Sequence, residues 1–415
     1  MYDSSEGCHA IIQTATNKLI QGCNSTIIPS SVTEIGEIAF SGCTSLTSIE
    51  IPSSVTKIDA SAFYDCTSLT SIVIPSSVKE IGSHAFDSCT SLTSIVIPES
   101  VTAIGYGIFE GCTSLTSIVI PSSVTEIGSD TFSKCSSLTS IVIPAGVTSI
   151  GSFAFSGCES LTSIEIPSSV TEMCSSAFRR CSSLTSIVVA EGNSVYDSRE
   201  GCNAIIETAT NKLIQGCNST IIPSSVTAID ECAFVGCTSL TSIVIPEGVT
   251  EIGEDAFTAC KSLTSIEIPS SVTEIGYAVF DKCTSLTSVV IPSSVTKIEE
   301  RAFMDCTSLT SIVIPESVTE IGESVFDNCI SLTSVVINGK IKKIESRTFY
   351  NCTALESITL PAGVNKIDSE AFEGFTSLKA INVPAKKKDY YIQRFPENLH
   401  SLIVEMEPVK KSKKK

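Results

Sequence analysis

Hydrophobic positions recur along most of the chain with a period of 23 residues, and each period begins at a proline. The unit 52–74 reads P-S-S-V-T-K-I-D-A-S-A-F-Y-D-C-T-S-L-T-S-I-V-I. Counted from the proline, Val recurs at +3, Ile at +6, Phe at +11, Cys at +14, Leu at +17, and Ile or Val at +20 and +22. One such unit cannot bury these side chains alone. The period therefore indicates a solenoid in which each coil covers the next.

The spacing within a unit predicts its local structure. The segment L-T-S-I-V-I alternates, so +20 and +22 face the core while +19 and +21 face outwards, which is typical of a short strand with one buried face. The following proline ends this strand, because it has no N–H to donate. V-T-E-I-G then predicts a second short extended segment. The spacing in A-F-x-x-C suits a single helical or 3₁₀ turn.

The repeat resembles a known class of repeat protein. Residues 115–128 carry L-T-S-I-V-I-P-S-S-V-T-E-I-G, and residues 85–91 carry A-F-x-x-C-T-S. These motifs are similar to the 23-residue BspA-like (Treponema pallidum type) leucine-rich repeat, and the resemblance covers about 360 of the 415 residues. It implies a β-rich solenoid, a right-handed leucine-rich-repeat-like coil. That fold would have one parallel sheet, short extended or 3₁₀ segments on the other side, and two inserted β-hairpins.

One interruption divides the array. Between Ala190 and Pro223 the spacing is 33 residues, and segment 196–223 nearly duplicates segment 2–29. In both copies A-I-I and K-L-I flank T-A-T-N, which predicts a hairpin, and BspA-like proteins carry similar hairpin coils. Met1 stands where Val195 stands in the second copy, so the first coil looks N-terminally truncated. The predicted divisions are a hairpin coil at 1–28, seven repeats at 29–190, a hairpin-bearing coil at 191–222, seven repeats at 223–384, and a degenerate cap with a basic tail at 385–415.

Charge narrows the classes of partner. The net charge is −18, and residues 385–415 carry nine Lys/Arg against four Asp/Glu, so residues 1–384 carry −23. Such a body repels nucleic acid and anionic lipid. No apolar run approaches the ~18–20 residues of a membrane helix. We therefore expect neither nucleic-acid binding nor membrane insertion.

Candidate catalytic chemistry is sparse. Histidine occurs only at positions 9, 84 and 400, and His84 is expected to be a solvated surface ring. The Ser-x-x-Lys spacings that begin at Ser54, Ser76 and Ser294 match a Ser-Lys nucleophile motif but recur with the repeat, so we interpret them as its by-products. The sequence predicts no enzyme, no cofactor and no metal site.

Cysteine usage separates into two classes. Thirteen of the 19 cysteines occupy +14, and Phe375 fills the same slot, which favours a buried apolar position over disulfides or zinc ligands. The hairpin cysteines differ, because Cys8 and Cys23 lie equidistant from the turn centre, as do Cys202 and Cys217. Each pair is predicted to be either a disulfide, in an oxidising compartment, or two packed thiols.

The outward side of the strands is the candidate binding surface. Position +19 is Ser in every unit from 48 to 357. Valine at +21 either forms part of a binding surface or simply favours strand formation. The variable positions +8, +9, +12 and +13 are the alternative surface, with Tyr64, Tyr106, Tyr277, Tyr350, Arg179 and Arg180. The candidate +21 residues are Glu50, Val73, Val96, Val119, Val142, Glu165, Val188, Val244, Glu267, Val290, Val313 and Val336.

The functional hypothesis combines this surface with the resemblance. BspA-like proteins are implied to act in adhesion, so the first hypothesis is a non-enzymatic, cell-surface or secreted adhesin-like module that binds a host or matrix protein. The alternative is an intracellular or periplasmic scaffold in which the thiols stay reduced. Met1 is not followed by a signal-peptide pattern, which is weak evidence against export.

Overall fold

The computed structural model describes residues 2–3, 7–395 and 397–407. The chain divides into two compact units, residues 1–209 with 215–219 and residues 210–214 with 220–415. Each unit is a parallel β-solenoid in which equivalent residues of successive coils lie side by side. The predicted β-rich solenoid is therefore confirmed.

The predicted L-T-S-I-V-I strands form the longer ladder of each coil stack. Their pairing is parallel and in register, as between Ser71–Val73 and Ser94–Val96. In the first unit these strands are Ser48–Glu50, Ser71–Val73, Ser94–Val96, Ser117–Val119, Ser163–Ile166 and Ser186–Val189. In the second unit they are Ser265–Glu267, Ser288–Val290, Ser311–Ile314, Ser334–Ile337, Ser357–Thr359, Ala380–Val383 and Ile403–Glu405.

The second extended segment forms a parallel ladder of its own, where the sequence predicted one sheet only. Its two-residue strands pair with the equivalent residues of the next coil, as Lys57 does with Glu80. In the first unit they are Glu34–Ile35, Lys57–Ile58, Glu80–Ile81, Glu126–Ile127, Ser149–Ile150 and Glu172–Met173. In the second unit they are Ala228–Ile229, Glu251–Ile252, Glu274–Ile275, Lys297–Ile298, Glu320–Ile321, Lys343–Ile344 and Lys366–Ile367.

The A-F-x-x-C segment is a run of turns. Some of its main-chain N–H groups donate within their own coil, and others donate to the next coil. The Tyr64 N–H donates to Ser61 O three residues earlier, at 3.1 Å, which is the hydrogen bond of a 3₁₀ turn. The neighbouring Phe63 N–H instead donates to Ala85 O of the next coil, at 2.8 Å. Positive φ at Ser61 (52°) and Asp65 (57°) turns alternate N–H groups towards the neighbouring coil.

The core of each unit is built on a stack of phenylalanine rings at +11. Phe155 is fully buried and lies 5.4 Å from Phe132 and 5.2 Å from Phe178, measured between ring centroids. The rings are nearly parallel, with interplanar angles of 15° and 2°. Offset stacking of this kind adds to the free energy gained from burial. The predicted burial of the +11 phenylalanines in interior coils is thus confirmed.

The first hairpin has the predicted strands. Ile11–Gln13 and Lys18–Gln21 pair antiparallel, and Tyr2–Asp3 adds a third antiparallel strand. Lys18–Gln21 also pairs in parallel with Glu34–Ile35, so the hairpin is continuous with the ladder of two-residue strands. The corresponding strands of the second copy are Tyr196–Asp197, Ile205–Glu207 and Lys212–Gln215.

Helix is scarce in the described residues, and its longest segments lie near the C-terminal end. Lys388–Ile392 is a single α-helical turn that buries the Tyr391 side chain, and the Tyr391 hydroxyl donates to the Pro361 carbonyl. The 3₁₀ helices are Arg199–Gly201 and Glu397–Leu402. No helix in the described ranges has the length and apolar character needed to cross a membrane. The predicted basic tail, 408–415, lies outside the described residues.

Candidate protein-binding face

The strand register aligns the +21 side chains of successive coils in a column. Val73 lies opposite Val96, which in turn lies opposite Val119. The intervening Ile72 and Ile95 are buried, because alternate residues of a strand point to opposite faces. We call the exposed +19 and +21 side chains of the longer ladders the strand face.

The strand face is apolar and exposed along most of its +21 column. Val142 is 80% exposed and Val244 is 82% exposed, although valine is normally a core residue. Val336 is half-buried and is the least exposed of this group, followed by Val188 at 47%. The structure places all twelve candidate residues on the outward side, and their part in binding stays a prediction. The remaining candidate residues of the +21 column, all of them exposed, are Glu50, Val73, Val96, Val119, Glu165, Glu267, Val290 and Val313.

The strand face of the first unit has an irregularity at Val142. Regular strand pairing stops at Ser117–Val119 and resumes at Ser163–Ile166, and within the described residues the segment 140–143 is not a regular strand. A groove lies on each side of this segment, one beside Val119 and the other beside Glu165. Val142 therefore projects between two grooves, where a partner side chain can make contacts on more than one side.

The variable positions carry aromatic and basic side chains that contact each other. The Arg301 Nη1 atom donates to the Tyr277 hydroxyl at 3.1 Å, and the Arg347 guanidinium lies 3.9 Å from the centroid of the Tyr350 ring. These contacts occupy the tyrosine hydroxyl and the aromatic ring face with which a ligand would interact. Tyr64 is exposed, as is Tyr106.

His84 is not the solvated ring that the sequence predicted. Its side chain is half-buried, its Nδ1 atom lies 2.9 Å from Asp87 Oδ2, and its ring makes an edge contact with Tyr106 at 4.7 Å. Burial raises the pKa of the Asp87 carboxyl above its usual value. The single-unit pattern missed this cluster, because Tyr106 comes from the next coil.

No disulfide joins the nineteen cysteines, all of which lie within the described residues. Cys8 Sγ donates to the Ala10 carbonyl at 3.7 Å, and Cys23 Sγ donates to the His9 carbonyl at 3.5 Å. The pairs Cys8–Cys23 and Cys202–Cys217 thus remain disulfide predictions for an oxidising compartment. The +14 thiols are buried, with the exception of half-buried Cys43.

In two of the three Ser-x-x-Lys sequences, those at Ser54 and Ser294, the serine contributes to coil stacking. Ser54 Oγ donates to the Val32 carbonyl of the preceding coil at 2.6 Å, and Ser294 Oγ makes the equivalent bond to Val272 at 2.6 Å. Lys57 Nζ lies 2.9 Å from a Glu80 carboxylate oxygen. Because each lysine would have to accept the serine proton to act as a base, this arrangement favours a structural part for both residues.

Comparison with known proteins gives the family. The model of the BspA type leucine rich repeat region matches residues 17–138, 102–210, 205–303 and 273–399. No curated protein matches the chain.

Three solved structures are similar to this chain. A leucine rich cell surface protein from Faecalibacterium prausnitzii A2-165 is 29% identical, with a TM-score of 0.65 over 94% of this chain and 97% of that one. A leucine-rich repeat protein from Bacteroides ovatus ATCC 8483 is 28% identical, with a TM-score of 0.54 over 98% of both chains. The pneumococcal vaccine antigen PcpA is 20% identical, with a TM-score of 0.56 over 90% of this chain and 83% of that one, and it supports the fold alone. The chain belongs to the BspA-type leucine-rich repeat family.

Proposed function

We propose that this protein is a non-enzymatic binding module of the cell surface or a secreted product, and that its strand face binds a protein partner. The observation that carries the proposal is the exposed column of in-register valines, which places the same apolar group on one coil after another. Contiguous exposed apolar surface marks interaction sites in soluble proteins. Leucine-rich repeat proteins are in general protein-binding proteins.

The chemistry of the strand face favours protein over other partners. Serine at +19 and valine at +21 offer small uncharged groups, interrupted only at intervals by acids such as Glu50 and Glu165. Nucleic acid requires basic side chains that this face lacks. Aromatic side chains, which would offer stacking surfaces to sugars, are absent from these positions. A flat or extended surface of a partner protein would match both the shape and the polarity of the strand face.

The proposed location rests on relatives. The Faecalibacterium prausnitzii protein, similar over nearly the whole of both chains, is described as a cell surface protein. A host or extracellular-matrix protein is the partner that such a location would supply. A repetitive face of this kind gains affinity from many modest contacts, so binding should depend on how many coils take part.

The test compares two multi-site variants by surface plasmon resonance on a panel of immobilised, purified extracellular-matrix proteins. The first variant changes Val73, Val96, Val119, Val142 and Val188 to lysine, which breaks the apolar column without touching the core. We expect wild-type protein to bind at least one member of the panel and this variant to bind at least 100-fold more weakly, since several contacts are lost together.

The control variant places five lysines at +12 and +13 in coils of the same unit, for example Tyr64→Lys and Ser156→Lys. It changes the charge by a similar amount on a different side of the coil, and we expect it to bind as wild type does. Loss of binding in the control alone would move the site to the variable positions. Failure of the wild type to bind any member would contradict the proposed matrix partner.

A further inference from the structure

Three side chains of types that commonly bind metal ions lie close together on two adjacent coils, in or next to the A-F-x-x-C turns. His84 and Asp87 belong to one coil, and Glu110 comes from the next. One ligand atom from each lies within 4.8 Å of the other two, and no other such group occurs in the described part of the chain. We propose that His84, Asp87 and Glu110 bind a divalent transition-metal ion of the Zn²⁺ type. This site is separate from the strand face.

The distances suit a zinc-like ion after a small adjustment. Zinc bonds of about 2.0–2.2 Å in a tetrahedron place the ligand atoms about 3.3–3.6 Å apart. His84 Nδ1 and Asp87 Oδ2, at 2.9 Å, are close to this spacing and need only separate slightly. Glu110 can approach through rotation of its flexible side chain. Three protein ligands leave the fourth position for water or a partner group.

Two departures from the repeat coincide at the cluster. Across the repeat units, His84 is the only histidine and Gly107 the only glycine at +9, and they occupy adjacent units. Asp87 and Glu110 are the only acids that occupy +12 in adjacent units. A Cβ atom at residue 107 would lie 2.5 Å from His84 Nδ1, so the glycine provides the space in which the imidazole sits.

The surroundings orient the ligands and leave an excess of negative charge. Asp87 is only 7% exposed, and Ser88 Oγ donates to its Oδ1 at 2.8 Å, which leaves Oδ2 directed to the imidazole. Such second-layer hydrogen bonds are typical of metal ligands. Asp130 adds a further nearby carboxylate that interacts with the charge of Glu110. Lys134 Nζ, 3.0 Å from Glu110 Oε1, is the cation that a metal ion would displace.

A bound ion would join two coils through side chains rather than through the main chain. Because the three ligands meet only in the folded chain, the ion would bind the native state and raise its resistance to unfolding. Competing ligands are few, since the chain has two further histidines, His9 and His400, and the +14 thiols are mostly buried. The exposed Cys23 thiol is the main competitor to exclude.

The first test titrates the EDTA-treated full chain with Zn²⁺ by calorimetry and with Co²⁺ by absorbance. We expect one saturable site per chain, and a cobalt spectrum without the intense thiolate charge-transfer band that cysteine ligation would give. His84→Gln and Glu110→Gln should each weaken binding at least 100-fold, because each removes one of three ligands. His9→Gln is the matched control and should bind as wild type does.

A second pair of variants tests the competing cation. Lys134→Gln removes the ammonium group from Glu110 and should tighten Zn²⁺ binding several-fold, whereas Lys79→Gln, an equal change of charge at an exposed lysine of the coil that carries His84, should not. Misfolding cannot produce tighter Zn²⁺ binding. The Lys134→Gln result therefore still tests the proposal if a ligand variant unfolds. Three results would overturn the proposal. They are unchanged binding in a folded His84→Gln variant, a thiolate band in the cobalt spectrum, and no saturable binding at 1 mM metal, roughly the weakest affinity that a specific site would show.

Discussion

The thiol of Cys135 donates a hydrogen bond to the main-chain carbonyl of Phe109, 3.2 Å away in the preceding coil. The same carbonyl accepts the N–H of Cys112 from its own coil. The same bond, between a donor and an acceptor 26 residues apart, is made by the +14 cysteines from Cys66 to Cys181 and from Cys260 to Cys352. The cysteine at +14 therefore fills an apolar slot and also joins one coil to the next.

The first prediction is that the protein loses stability steeply in alkali. Burial raises the pKa of the Cys66 thiol to about 12, and that of Cys181 also to about 12, from 9.0 in an exposed thiol. The native state thus favours the protonated thiol, and this stabilisation is complete below pH 9 and is lost as the pH rises towards 12. Each buried thiol should remove about 1.4 kcal/mol of unfolding free energy per pH unit in that window.

Urea unfolding measured from pH 8 to pH 11 checks this slope. The control is a variant with Cys112→Val, Cys135→Val and Cys158→Val, which keeps the slots apolar but removes three titrating groups. Its slope should be shallower by about 4 kcal/mol per pH unit, three times the value for one thiol. Equal slopes in the two proteins would show that the thiols are not the groups responsible.

The second prediction concerns the ring stack. Phe155→Ala should lower the unfolding free energy by about 3–5 kcal/mol, because it leaves a cavity between two stacked rings. Phe153→Ala is a matched control in the same coil, since Phe153 is half-buried and lies outside the stack with a positive φ of 57°. It should cost about 1 kcal/mol or less. Comparable losses in chemical denaturation would contradict the assignment of Phe155 to the stack.

Much of this fold could be predicted from the sequence, because the same pattern of hydrophobic positions recurs in every unit. The alternation that buries Ile72 and exposes Val73, and the burial of Phe155, follow from one unit read with its period. The short second ladder and the surroundings of His84 could not be predicted in the same way. Both depend on which residues the next coil brings alongside, and two-residue strands leave almost no pattern within one unit.

The third prediction concerns the hairpin cysteines. Hydrogen bonding from Ser25 lowers the pKa of the exposed Cys23 thiol, so Cys23 should be the first thiol to react with iodoacetamide in native protein. Protein exposed to an oxidising buffer should then keep Cys8, Cys23, Cys202 and Cys217 protected after denaturation without reductant. Mass spectrometry of the labelled peptides distinguishes this outcome from labelling of all 19 cysteines, which would exclude both disulfides.

The last prediction separates two glycines that occupy the same position, +7, in different coils. A Cβ atom on Gly151 would lie 2.5 Å from the main-chain nitrogen of Ser129, which cannot move away as a side chain could, whereas a Cβ on Gly105 would meet no atom within 4 Å. Gly151→Ala should therefore lower the unfolding free energy by about 1–3 kcal/mol through forced displacement of the neighbouring coil. Gly105→Ala should be neutral or raise it by about 0.4–1 kcal/mol, because alanine restricts the unfolded chain. Urea denaturation of the two single variants at pH 7 measures both changes. Equal destabilisation would mean that the coils are as closely spaced at Gly105 as at Gly151, and that the distances described for these two coils are wrong.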